Sequence, residues 1–170
     1  MDSINSLQKQ LDQYQAAINK TQANRIQWSA VTKQLIFESL VKVRQMANLD
    51  WVVMKIEGIT NLESVRLQLE PAPSGIVIHT NKEQKHLIKF RGALVFSQAH
   101  NGDILIMMES PFVDELMPKP DIMVLATRDP EELDEDYILK QAEDFLHIIT
   151  EWENNTEGKG AIGFRNGHSE

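Results

Sequence analysis

Three short patterns in this chain place reactive side-chain types at spacings that could do chemistry. Glu143, His147 and Glu151 recur at i, i+4 and i+8, which on a helix would align two carboxylates and an imidazole as ligands for one metal ion. Ser39-Leu40-Val41-Lys42 matches S-x-x-K, a serine nucleophile with a lysine to take its proton. Gly158-Lys159-Gly160-Ala161-Ile162-Gly163 matches G-x-G-x-x-G, a glycine turn that can cradle a pyrophosphate.

Each pattern fails on its context. His147 falls opposite the Phe145/Ile149 stripe of its helix, on the side expected to face water. The serine lacks the S-D-N and K-T-G companions that a Ser-Lys site requires. The glycine loop follows a helix, where the dinucleotide fingerprint needs a strand before it and a helix after it. The acidic run Glu131, Glu132, Asp134, Glu135, Asp136 could attract a hard cation, but it lacks the spaced D-x-D-x-D-G loop. Acids are expected there in any case, at the positive end of a helix dipole. No catalytic residue, cofactor or metal is therefore assigned. The acidic run is kept as a docking face for a basic partner.

One pattern carries recognition instead of reaction. Ile4, Leu7, Leu11, Tyr14 and Ile18 recur at alternating steps of three and four, the seam of a heptad helix. The seam spans barely two heptads and is flanked by Gln, so charge pairs cannot choose its partner. Either it packs on the chain's own sheet, or it is a contact for a second copy or a partner helix.

Composition narrows the classes further. The 170 residues contain no cysteine, which excludes disulfides, thiol nucleophiles and Cys-ligated metals. The polar start Met1-Asp2-Ser3-Ile4-Asn5 lacks an apolar h-region, and no run reaches the length of a membrane span. A cytoplasmic protein is expected, and the sequons at Asn19 and Asn154 are read as chance. The net charge of −8 is unevenly spread: residues 1–48 carry six bases and three acids, whereas residues 109–157 carry fifteen acids and three bases. Such a chain is a poor partner for nucleic acid or anionic membrane and suits a basic protein partner or itself.

The elements that must position these groups follow from periodicity. Residues 1–48 read as helical, with a break expected at the polar Gln22–Asn24 and a second stripe in new phase at Ile36, Leu40, Val43 and Ala47. From Trp51 the period switches to two, and strands alternate through residues 51–127 with turns at Gly58–Asn61, Pro71–Ser74 and Asn81–Lys85. Asn101-Gly102 reads as a two-residue hairpin loop, placing Phe96 opposite Met107. Asp129 and Pro130 mark a helix start, giving a helix over 130–152. The expected fold is α+β: an antiparallel meander of five to six strands between N-terminal helical segments and a C-terminal helix. It forms one domain over 1–153, with a flexible tail at 154–170.

The function expected from this reading is a non-enzymatic protein-interaction module, an adaptor, chaperone-like or immunity-type protein that self-associates as a homodimer or holds a protein partner. Two alternatives stand beside it. One is a small-ligand binder or enzyme whose polar groups converge near Glu109, Ser110 and Asp114. The other is a structural subunit of a larger assembly.

Overall fold

The structure is a computed structural model and describes residues 2–155. Of the tail expected at 154–170, Asn154 is still helical and Asn155 follows it; the rest, with the Gly158–Gly163 loop, lies outside the described residues.

The N-terminal segment is one continuous helical rod. Helix α1 (Asp2–Gln27) passes through a π-helical turn, Trp28–Thr32, into α2 (Lys33–Ala47), and the residues on both sides of that turn keep right-handed helical dihedrals. The break expected at Gln22–Asn24 does not occur, and the change of phase is absorbed by the wider turn instead. Trp28, Thr32, Ile36 and Leu40 are all buried and lie four residues apart. On an ideal α-helix each such step over-rotates by about 40°, so the stripe would drift away from the core. One turn of π-helix takes back part of that drift and keeps Trp28 and Thr32 over the sheet. Asn48, in the left-handed region at φ 48°, ends α2; asparagine is among the few residues that adopt this cap cheaply.

Eight strands follow: β1 (Trp51–Ile56), β2 (Ser64–Leu69), β3 (Ala72–His79), β4 (Gln84–Phe90), β5 (Ala93–Gln98), β6 (Ile104–Glu109), β7 (Phe112–Val113) and β8 (Met123–Arg128). They form an antiparallel sheet in the order β1-β2-β5-β6-β8 and a smaller one in the order β3-β4-β7. The pairing runs in register from one sheet to the other. Gln68 pairs with Ala93 and Ala72 with Lys89; Ala93 pairs with Glu109 and Phe90 with Phe112. So β2–β3, β4–β5 and β6–β7 are three long strands, each bent once at a common corner at Pro71, Gly92 and Pro111. The meander is present, with its three central strands folded over an edge.

The apolar alternation allows Ile78 to stand opposite Leu67 or Ile88, and neither pairing forms. Pro71–Ser74 bends a strand and does not reverse it, so Leu67 and Ile78 lie on the same long strand and cannot face each other; Ile88 pairs with Pro73. At the corner, Gly92 has φ +97°, and a Cβ there would stand 2.5 Å from the Glu109 carbonyl oxygen, so only glycine fits. At the other end of β5, the Ala99 N–H donates to the Asp103 carbonyl and the Gly102 N–H to the Ala99 carbonyl, at 2.8 and 2.9 Å. The loop therefore has three residues, with Gly102 at φ +80°, as in a type I turn closed by a left-handed residue. The register moves by one relative to the two-residue reading. Phe96 pairs with Ile106, and Val95 with Met107.

That shift sorts the apolar residues cleanly. Leu67, Leu94, Phe96, Ile106 and Met108 face the helices and form the core with Trp28, Ile36, Leu40, Ile138 and Phe145. Helix α3 (Glu135–Asn154) supplies the last two and packs beside α2. It begins later than the sequence indicates. Pro130–Glu132 is a separate 3-10 turn, and Asp134 is the N-cap, its carboxylate accepting from the Tyr137 N–H at 2.8 Å. No described helix is long and apolar enough to cross a membrane.

Candidate functional site

The heptad seam is not covered by the chain's own sheet. Ile4, Leu7, Leu11 and Tyr14 are 75%, 60%, 51% and 67% exposed, and only Ile18, nearest the body, is half-buried. The N-terminal part of α1 projects beyond the sheet as a free helical overhang. Residues 2–17 alone span about 24 Å at roughly 1.5 Å per residue. A helix of this length is marginal in water without tertiary packing, and this one presents its apolar side to solvent.

The overhang is held firmly at its root. The three-residue hairpin tip between β5 and β6 stands directly against α1. A Cβ on Gly102 would approach the Asn24 Cβ to 2.7 Å and the Thr21 carbonyl to 3.1 Å. The Asn24 amide donates to Asp103 at 3.1 Å, and the Arg25 guanidinium donates to the His100 carbonyl at 3.0 Å. Lys20 pairs with Asp129 at 2.9 Å. Through that hydrogen bond Lys20 holds the Asp129 carboxyl below the usual carboxylate range, and its own ammonium is raised in turn. Within the polar stretch where a helix break is expected, Gln22 is exposed, whereas Thr21, Asn24 and Arg25 form the docking surface for the hairpin. They lie on the same side of the helix as the seam, because positions 21, 25, 28 and 32 continue its three-four spacing.

The acidic run is only partly free. The Glu132 carboxylate accepts from the Asp129 N–H at 3.0 Å, Asp134 caps α3, and Glu135 pairs with Lys42 at 2.7 Å. Glu131 and Asp136 are exposed. Asp129 and the turn carrying Glu131 and Glu132 lie against α1 at the root of the overhang, whereas Glu135 lies further along the rod, at Lys42.

A cleft of ≈ 580 Å³ opens at the corner where the strands change sheets. Glu109, Ser110 and Asp114 do line it, together with Arg66, Gln68 and the stacked Phe90–Phe112 pair, whose centroids are 4.8 Å apart. The Arg66 guanidinium is already engaged, donating to Gln68 at 2.6 Å and to Glu109 at 2.9 Å, so its charge is neutralised within the wall. Arg66 was not evident as a site residue. The only trace in the sequence is a run of polar side chains, Ser64, Arg66 and Gln68, at alternate positions of an otherwise apolar strand. A second, apolar groove of ≈ 430 Å³ lies between the end of α2 and α3, lined by Val43, Met46, Leu49, Trp51, Leu139 and Leu146 among others.

Glu143, His147 and Glu151 are exposed on α3, and Glu143 pairs with Lys140 at 3.0 Å. Ser39 is buried, and its hydroxyl donates to the Leu35 carbonyl at 2.8 Å, within its own helix. Among the described residues no group of three His, Asp or Glu side chains is placed to hold a metal ion. No protein-family model, curated protein or solved structure matches this chain.

Proposed function

We propose that this chain is a protein-interaction module of the adaptor, chaperone-like or immunity type, working through its N-terminal overhang and not through chemistry. The observation that carries this reading is the exposed seam. Four large apolar side chains line up on a helix that has no intramolecular reason to exist beyond Lys20, while that helix is braced at its base by a hairpin, a salt bridge and a buried asparagine. An apolar stripe held rigidly in water fits a helix-recognition element. The acidic end beside its root would favour partners with basic surface and would speed their encounter. A cytoplasmic setting accords with the cysteine-free composition.

The test is a capture experiment with the whole chain and with a Leu7→Glu/Leu11→Glu variant, read by mass spectrometry at two salt concentrations. The expected result is a stoichiometric protein, or the chain itself, retained by the first and lost by the second. Equal retention by both would remove the seam from the mechanism.

The corner cleft supports a second reading, a small-ligand binder. Its volume is within the range of ligand sites, and it combines an aromatic pair with polar groups. A thermal-shift screen on an Arg66→Met/Glu109→Met variant and on the unaltered chain separates the two: a compound that stabilises only the unaltered chain would favour the cleft.

A further inference from the structure

We infer that the occupant of the overhang is a second copy of this chain, paired antiparallel, with each α1 seam covering the other about a two-fold axis near Asp12–Gln13. The inference rests on the interaction reading of the seam and adds to it the partner and the geometry.

Direction follows from sterics. The seam and the docked residues Thr21, Asn24, Arg25 and Trp28 lie on one side of one continuous rod. In a parallel pair, the partner's helix beyond residue 20 would run along that same side, where the hairpin tip at His100–Asp103 already stands against α1. The two helices would have to splay before the seam ended. In an antiparallel pair, each rod leaves past the other's N-terminus into open space, and each body lies beyond the opposite end of the paired segment.

Register follows from the same obstacle. The overlap cannot pass the hairpin tip, and the arrangement that covers most of the seam sets Leu7 against the partner's Ile18 and Leu11 against the partner's Tyr14. Ile4 then ends the overlap at the edge of the partner's hairpin tip.

Charge agrees with this arrangement. The positions flanking the seam are Ser3, Gln8, Gln10, Gln15 and Ala17, all uncharged, so nothing repels an identical helix. Lys9 and Asp12 lie on the outer side. The N-terminal turn of each rod, the positive end of its dipole, arrives at the partner's root, where Asp103, Asp129 and Glu132 outnumber Lys20 and Arg25. Pairing of two such segments buries on the order of 1,000 Å² in total, at the lower end for a specific interface, so a dimer of micromolar strength is expected.

The absence of cysteine makes the test direct. Gln10→Cys and Ala17→Cys are prepared as separate chains, each altered beside the seam and not in it. Antiparallel pairing predicts a disulfide-linked species when the two are mixed under mild oxidation, at least tenfold more than with either alone. Leu7→Cys serves as the opposite probe, because it links to itself efficiently only in a parallel pair. Sedimentation of the unaltered chain up to about 200 µM, well above a micromolar dissociation constant, is the companion measurement. A monomer throughout, or self-linking of Leu7→Cys without mixed linking of the other pair, overturns the inference. If the chain is monomeric yet captures another protein through a seam sensitive to Leu7→Glu/Leu11→Glu, the interaction reading survives and only the occupant is wrong.

Discussion

The indole N–H of Trp28 donates to the carboxylate of Glu63 at 3.0 Å, and the same carboxylate oxygen accepts from Lys33 at 2.9 Å. Trp28 is completely buried and sits in the π-helical turn. One carboxylate on the β1–β2 connection therefore satisfies the largest polar-edged side chain of the core and ties the helical rod to the sheet.

Removal of that acceptor leaves a buried donor without a partner. Glu63→Ala is expected to destabilise the fold by about 1–3 kcal/mol, measured by urea denaturation with tryptophan fluorescence as the readout. An unchanged midpoint would mean that the hydrogen bond contributes nothing in solution.

The same contact has a signed pH dependence. The Trp28 N–H, and after it Lys33, hold the Glu63 carboxyl below its ordinary value of 4.5. A carboxylate whose folded pKa is depressed contributes stability above its unfolded pKa and loses it as pH falls through the folded one. The stability difference between the unaltered chain and Glu63→Gln is expected to be constant near neutrality and to shrink as pH falls through the ordinary carboxyl value and below it. A difference that already shrinks near neutrality would assign the effect to another group.

Gly102 joins two requirements at one atom: its φ is +80° and its α-carbon lies against α1. Gly102→Ala is expected to cost about 1–3 kcal/mol, and more if the hairpin tip must lift from Asn24. Gly58→Ala is the control, since a Cβ there meets nothing within 4 Å, and its effect should stay within about 0.5 kcal/mol. Hydrogen exchange of the α1 amides should rise in the first variant and not in the second.

The overhang should be thermodynamically separate from the body in dilute solution. Leu7→Glu, on a side chain 60% exposed, is expected to change the unfolding free energy of a dilute sample by no more than about 0.5 kcal/mol while abolishing any concentration dependence of its melting. Loss of several kcal/mol at low concentration would show that the seam is packed within one chain.

Insertion of an alanine after Ala30, into a turn that already holds one residue more than an α turn, rotates α1 by about 100° relative to α2. Trp28 and Thr32, whose hydroxyl donates to the Pro130 carbonyl at 3.1 Å, can then no longer both reach their sites. The expected cost is about 3 kcal/mol or more, comparable to loss of a large buried side chain, measured by calorimetry.

The sequence conveys class and strand content because both depend on local periodicity, and the α+β architecture follows. Long-range choices are less legible. Alternation marks Leu67 and Ile78 as strand residues but does not say that Pro71 bends one strand where another proline would end it. Asn101-Gly102 announces a hairpin, yet the loop length depends on whether His100 or Ala99 pairs with Asp103. Asn24 looked like a helix breaker because a polar side chain reads the same whether it faces water or accepts a docking hairpin. The seam was visible as a pattern, and its exposure was not, since a stripe that packs at home and one that awaits a partner are spelled alike. Arg66 and Glu109 lie 43 residues apart, a separation over which no local pattern speaks.

The common corner also has a kinetic meaning. Because pairing stays in register through Pro71 and Gly92, the chain from Ser64 to Ser97 is a single long hairpin whose turn is Thr80–Glu83, closed by the Thr80 N–H to the Glu83 carbonyl at 2.9 Å. Closing a loop of a few residues costs less entropy than closing one of about thirty, and contacts made in that order favour rapid folding. The outer strands β3 and β4 bury little themselves, but they act as a zipper that delivers β5 to β2. Loosening the turn by Thr80→Gly should accordingly slow refolding more than it speeds unfolding, a ratio that stopped-flow measurements read directly.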